Sequence, residues 1–116
     1  MTDTISREKI NQRMQNKLPT TIIEVLPKQY FDAEHIPGAL NIPHDEITAR
    51  ANAMLPNKNA FIVVYCANAD CQNSSIATRT LKQLGYNNTF EYVEGKLHWQ
   101  QGQLPLVSTQ EEDLNE

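Results

Sequence analysis

The chain has 116 residues and the composition of one small globular domain, with no apolar run long enough to cross a membrane. Its net charge of −4 comes from 10 basic and 14 acidic residues, and the acidic C-terminal end carries the excess. Because the rest of the chain has no surplus of basic residues to neutralise phosphates, a general nucleic-acid binder is excluded. Because the N-terminus lacks an apolar signal core, we expect a cytoplasmic protein. The two cysteines are too few for a disulfide framework.

The first half of the chain alternates helical and extended patterns. Apolar residues recur at every fourth position near the N-terminus, and β-branched residues follow. The predicted elements are a helix over 5–18 capped by Ser6, a strand over 20–25, a short helix over 28–33, a short apolar segment over 39–42 and a helix over 44–54.

The second half continues this alternation. Residues 60–65 are apolar throughout, which is typical of a strand covered on both faces of a parallel sheet. A helix over 74–84 follows, with Asn73 or Ser74 as its cap and Ile76, Thr80, Leu81 and Leu84 as its buried stripe. The last strand is predicted over 89–93 and a short helix over 95–101. Strands that alternate with helices predict an α/β domain with a mostly parallel sheet.

The acidic C-terminal end has no apolar periodicity. We therefore predict one domain over residues 1–106, which includes the helix over 5–18, and a flexible acidic tail over 107–116.

Cys66 is the strongest candidate for chemistry. It follows the apolar strand directly and faces the start of the next helix across a loop of small and polar residues. Free backbone amides and the positive end of a helix dipole bind anions and lower the pKa of a thiol, so this position favours a nucleophilic thiolate. The loop amides predicted to bind a substrate belong to Ala67, Asn68, Ala69, Asp70, Cys71, Gln72 and Asn73.

Several motifs in this order resemble the rhodanese-like family over residues 20–106. They are His35-Ile36-Pro37-Gly38-Ala39-Leu40-Asn41-Ile42-Pro43, Val63-Val64-Tyr65-Cys66, Leu84-Gly85-Tyr86, and Val93-Glu94-Gly95 with Trp99. The resemblance implies a three-layer α/β fold, with a sheet of about five mostly parallel strands and helices on both faces.

The resemblance also implies a sulfurtransferase without a cofactor. Cys66 would attack a sulfane-sulfur donor such as thiosulfate, become a persulfide, and pass the sulfur to a thiophilic acceptor such as cyanide or a thiol. The partners would be a small sulfur-containing anion or a thiol, and a protein acceptor is a further candidate.

The sequence departs from the family pattern around this loop. Residues 67–73 contain no Arg or Lys, and Asp70 adds a negative charge that opposes an anionic donor. The stretch from Cys66 to Gly85 is about two residues longer than is common in the family. Lys96 replaces a second glycine of the family. It could approach the site and restore a positive charge there, but we interpret it as a solvated side chain.

Cys71 has two interpretations. In the first, a curled loop brings the Cα atom of Cys71 within disulfide range of Cys66, and Cys71 then resolves a persulfide or a sulfenic acid on Cys66. In the second, Cys71 is a small residue that packs under the start of the helix over 74–84. Two other functions therefore stay open: thiol–disulfide chemistry of Cys66 with Cys71, and a non-catalytic binding or regulatory module.

The histidines are predicted to have structural roles. His35 precedes the Pro37-Gly38 turn and would fix it through hydrogen bonds. The cysteine spacing with scattered histidines matches no compact zinc pattern, so no metal is expected.

Overall fold

The computed structural model describes residues 3–114. The strands are β1 (Thr21–Glu24), β2 (Leu40–Asn41), β3 (Ile62–Tyr65) and β4 (Thr89–Tyr92). The helices are α1 (Arg7–Gln15), α2 (Lys28–Ala33), α3 (Ile47–Met54), α4 (Asn73–Gln83), α5 (Gly95–Gln101) and α6 (Thr109–Leu114), and a 3-10 turn at His44–Glu46 leads into α3.

The described strands form one parallel sheet in the order β2-β1-β3-β4. This confirms the α/β class and the parallel sheet, but the expected count of five strands was wrong. At the outer edge of β4, Thr4 forms a single bridge with Glu91, and the amide of Ile5 donates to the Glu91 carbonyl oxygen at 3.1 Å. The N-terminal segment therefore occupies the fifth position too briefly to form a strand, because Ser6 already caps α1.

Apolar layers cover both faces of the sheet. On one face, Ile62 and Val64 of β3 pack with Leu81 of α4. On the other face, Val63 packs with residues of α1 and α5, including Trp99. This explains why β3 is apolar at every position, since its alternating side chains enter two different cores.

Helix α4 begins differently from the prediction. Gln72 precedes it, and neither Asn73 nor Ser74 acts as the cap. Ser74 is fully buried, whereas Ile76, predicted to be in the buried stripe, is 39% exposed. The buried positions of the helix are Ser74, Ala77, Thr78 and Leu81. The buried face of α4 is thus rotated relative to the predicted apolar stripe, and the buried Ser74 makes a polar contact that is described below.

The C-terminal segment also differs from the expected flexible tail. Val107 and His35 exchange two backbone hydrogen bonds of 2.8 and 2.9 Å, and α6 follows and packs against α2. The Thr109 hydroxyl donates to the Asp32 carboxylate at 2.8 Å. Polar pairing rather than an apolar stripe docks this helix, so hydrophobic periodicity did not reveal it. The predicted tail also includes residues 115–116, which lie outside the described residues.

Among residues 3–114, no helix has the length and apolar character needed to cross a membrane.

Candidate active site

The start of α5 holds Cys66 at the end of β3. Cys66 is 1% exposed, and its carbonyl oxygen accepts a 2.9 Å hydrogen bond from the Lys96 amide, while the Leu97 amide donates to the Ala67 oxygen at 3.0 Å. The helix approaches so closely because residue 95 is glycine. Gly95 has φ +78°, and a Cβ there would lie 2.6 Å from the Cys66 oxygen. Both the backbone conformation and the contact require glycine.

Asn68 turns the loop back toward Cys66. Its side-chain oxygen accepts from the Asp70 amide at 3.0 Å, and its carbonyl oxygen accepts from the Cys71 amide at 3.1 Å. This turn brings the Cα atoms of Cys66 and Cys71 to 6.4 Å, and the two sulfur atoms form a disulfide. Cys71 is partly exposed, in contrast to Cys66.

Not all of the loop amides predicted to bind a substrate are free to do so. The amides of Asp70 and Cys71 donate to Asn68, so they are already used within the loop. Most of the loop faces outward; the exposed residues are Asn68, Ala69, Asp70 and Gln72, whereas Ala67 and Asn73 are half-buried. Asn73 is the first residue of α4 and places the start of that helix close to the cysteine pair.

Ser74 contacts Cys66 and is itself held by Glu91, an arrangement that no sequence pattern predicted. The Ser74 Oγ atom lies 3.5 Å from the Cys66 Sγ atom and donates a 2.8 Å hydrogen bond to the Glu91 carboxylate. Because the hydroxyl proton is directed at Glu91, the Ser74 oxygen is an acceptor for the proton of a reduced Cys66 thiol. No local pattern connects a serine at a helix start with a carboxylate in the edge strand.

The side chain of Lys96 is only 13% exposed, so the interpretation as a solvated side chain was wrong. Its Nζ atom lies 3.1 Å from the Glu24 carboxylate and donates to the carbonyl oxygens of Glu34 at 2.6 Å and Tyr30 at 3.2 Å. The Tyr65 hydroxyl donates to the other Glu24 oxygen at 2.8 Å. Burial raises the pKa of Glu24, and Lys96 and Tyr65 oppose that rise. The charged group of Lys96 is thus paired with Glu24.

His35 has a structural role, as predicted. Its ring is fully buried and stacks on Phe31 at 3.8 Å. The Nδ1 atom donates to the Phe31 carbonyl oxygen at 2.7 Å, since that oxygen can only accept, and the Nε2 atom lies 2.6 Å from the Glu112 carboxylate. His35 therefore ties α6 to the turn that follows α2.

A surface pocket of about 330 Å³ lies beside the loop. It is lined by Asn68, Ala69, Asp70, Glu94, Leu97, His98 and Gln101. Of the described residues that line it, none is Lys or Arg, and Leu97 is 51% exposed. The pocket therefore combines two carboxylates with an apolar patch. Within residues 3–114, no group of three or more His, Cys, Asp or Glu side chains is placed to hold a metal ion.

The chain resembles known proteins over most of its length. A family model described as the rhodanese-like domain matches residues 6–102. The putative sulfur carrier protein YrkF of Bacillus subtilis is 30% identical over 82% of this chain and 49% of its own length. The thiosulfate sulfurtransferase PspE of Escherichia coli is 40% identical over 57% of this chain and 62% of its own length.

The fold is similar to that of solved structures. The BH2092 protein from Bacillus halodurans has a TM-score of 0.86 at 20% identity, with 93% of this chain and 78% of that chain covered. The chain spans about half the length of the first curated relative and less than two thirds of the second.

Proposed function

The chain belongs to the rhodanese-like domain family, and on that premise we propose that it is a sulfurtransferase in which Cys66 carries the transferred sulfur as a persulfide. Relatives named as a sulfur carrier and as a thiosulfate sulfurtransferase support a sulfur-transfer role. The observation that carries the proposal is the position of Cys66, which directly follows the interior strand β3 and contacts Ser74 at the start of α4.

The chemistry requires a thiolate at Cys66. The thiolate attacks the sulfane sulfur of the donor and forms a bond between it and the Cys66 Sγ atom. The sulfur–sulfur bond of the donor breaks, and the rest of the donor leaves with that electron pair as sulfite or a related anion. A thiophilic acceptor then attacks the outer sulfur and releases Cys66. The start of α4 stabilises the negative charge of both the thiolate and the persulfide.

The surroundings of the loop favour a donor with little negative charge. Asp70 and Glu94 line the neighbouring pocket, and the cation of Lys96 is committed to buried Glu24. Carboxylates at the pocket repel a dianion such as thiosulfate, whereas exposed Leu97 offers an apolar contact to an organic donor. We therefore expect an organic sulfane donor to react faster than thiosulfate.

The test begins with fully reduced protein, because the disulfide blocks Cys66. The protein is incubated with thiosulfate or with an arenethiosulfonate, an organic donor, and its intact mass is measured. We expect an added sulfur atom in the Cys71→Ser variant, which cannot re-form the disulfide, and none in Cys66→Ser. An adduct that persists in Cys66→Ser would contradict the assignment.

The disulfide favours a second candidate function, thiol–disulfide exchange without a sulfane donor. In that case the reduced protein would reduce a small disulfide substrate, and both Cys66→Ser and Cys71→Ser would abolish the turnover. If Cys71→Ser turns over as fast as the native protein, this second candidate fails.

A further inference from the structure

The cysteine pair has an asymmetry that extends the proposed function. Cys66 is almost completely buried and its sulfur contacts Ser74, whereas Cys71 is partly exposed. The Asn68 turn holds Cys71 within bonding reach of the Cys66 Sγ atom. Any sulfur species formed on Cys66 therefore has a second thiol beside its inner sulfur atom.

We infer that the protein reduces sulfane sulfur to hydrogen sulfide, with Cys71 as the residue that releases it; this inference depends on the proposed persulfide at Cys66. The Cys71 thiolate attacks the Sγ atom of the Cys66 persulfide. A bond forms between the two cysteine sulfurs and the bond to the outer sulfur breaks. The outer sulfur leaves with the electron pair of that bond and takes one proton from solvent, which makes it hydrosulfide. The outer sulfur is reduced by two electrons and the two cysteines are oxidised to the disulfide present in the structure.

The position of Cys71 favours this step over transfer to an external acceptor. A thiol on the same loop competes at a high effective concentration, whereas an acceptor must diffuse to a sulfur beside a nearly buried cysteine. Attack at the inner sulfur also matches the geometry, because the Cys71 sulfur reaches the Cys66 Sγ atom itself.

The same asymmetry determines how the enzyme is reset. An external thiol or dithiol supplies the two electrons that each cycle consumes. It reaches the sulfur of partly exposed Cys71 rather than that of Cys66, so Cys66 is the leaving group. The reduction thus returns the thiolate that attacks the next donor, and the mixed disulfide forms on Cys71.

The test is a single turnover without external thiol. Reduced, desalted protein receives an arenethiosulfonate, which leaves as a sulfinate, so all sulfide must come from protein-bound sulfur. Sulfinate, sulfide and intact mass are measured together. We expect the native protein to release one sulfide for each sulfinate and to lose the mass of two hydrogen atoms, at a rate independent of protein concentration.

The variants separate this inference from the proposed function. Cys71→Ser should form sulfinate and keep the added sulfur, with loss of sulfide release, and Cys71→Ala serves if the serine variant does not fold. Retention of the added sulfur by the native protein, or equal sulfide release from Cys71→Ser, would overturn the inference and leave the persulfide intact. If neither the native protein nor the Cys71 variants form sulfinate, the proposed function itself fails.

Discussion

Replacing Lys96 with methionine leaves the carboxylate of Glu24 buried without its cation. Methionine keeps much of the apolar length of lysine, so the substitution removes the charge with little change in packing. Glu24 is fully buried, and the side chain of Lys96 is 13% exposed. The lost contacts also include the two carbonyl oxygens of α2 and the residue after it, Tyr30 and Glu34.

The magnitude follows from the distance. At 3.1 Å between Nζ and the carboxylate oxygen, and an effective dielectric constant of about 20, the Coulomb attraction is about 5 kcal/mol. Removing one partner of a buried pair typically costs about 3–5 kcal/mol. We expect the free energy of unfolding of Lys96→Met to fall by that amount at neutral pH.

The direction in which stability changes with pH follows from the pKa of Glu24. Burial raises the pKa of Glu24 above 4.5 in the folded state, so the folded protein holds this proton more tightly than the unfolded chain does. Stability from this group is complete below pH 4.5 and is lost as the pH rises through the folded pKa. Without Lys96 the folded pKa rises further, so the loss becomes larger and extends to higher pH.

The assay is urea unfolding of the native protein and Lys96→Met across this pH range. Glu24→Gln combined with Lys96→Met is the matched control, because a neutral amide needs no cation. We expect the double variant to recover much of the stability at neutral pH. A deficit in Lys96→Met that is the same at every pH, or a double variant as unstable as the single one, would refute this reasoning.

Three further predictions concern the loop and the C-terminal helix. Gly95→Ala should lower the free energy of unfolding by more than the about 1–3 kcal/mol of backbone strain alone, because its Cβ meets the Cys66 oxygen. The control in thermal unfolding is Gly38→Ala, since Gly38 has φ +83° and a Cβ there would have no atom within 4 Å. Equal losses in the two variants would contradict the contact. Glu112→Gln should speed hydrogen exchange at the His35 amide, which donates to the Val107 carbonyl oxygen just before α6, and unchanged protection would argue against the pairing of His35 with Glu112. Reducing the loop disulfide, which spans a separation of 5 residues, should cost about 2 kcal/mol in denaturant unfolding, whereas no change would show that it does not constrain the unfolded chain.

Local patterns in the sequence were sufficient for the elements that position Cys66. The apolar run at 60–65 predicted β3, and the helices over 28–33 and 95–101 have the predicted bounds. These signals succeed because periodicity, proline and glycine act on neighbouring residues.

The features that the sequence did not reveal depend on distant pairs. Glu24 and Lys96 are 72 residues apart, and His35 and Glu112 are 77 residues apart. Such polar pairs have no period, so a buried lysine resembled a solvated one and a docked helix resembled an acidic tail. The disulfide was within the predicted range because both cysteines lie on one short loop, but only the turn at Asn68 brings them together.

Sulfur transfer to Cys66 is tested most directly by the intact mass of reduced Cys71→Ser after incubation with an arenethiosulfonate, compared with Cys66→Ser. The proposed function predicts one added sulfur atom in the first variant, removable by excess thiol, and none in the second. An unchanged mass for Cys71→Ser, with its fold intact by circular dichroism, would contradict a persulfide at Cys66.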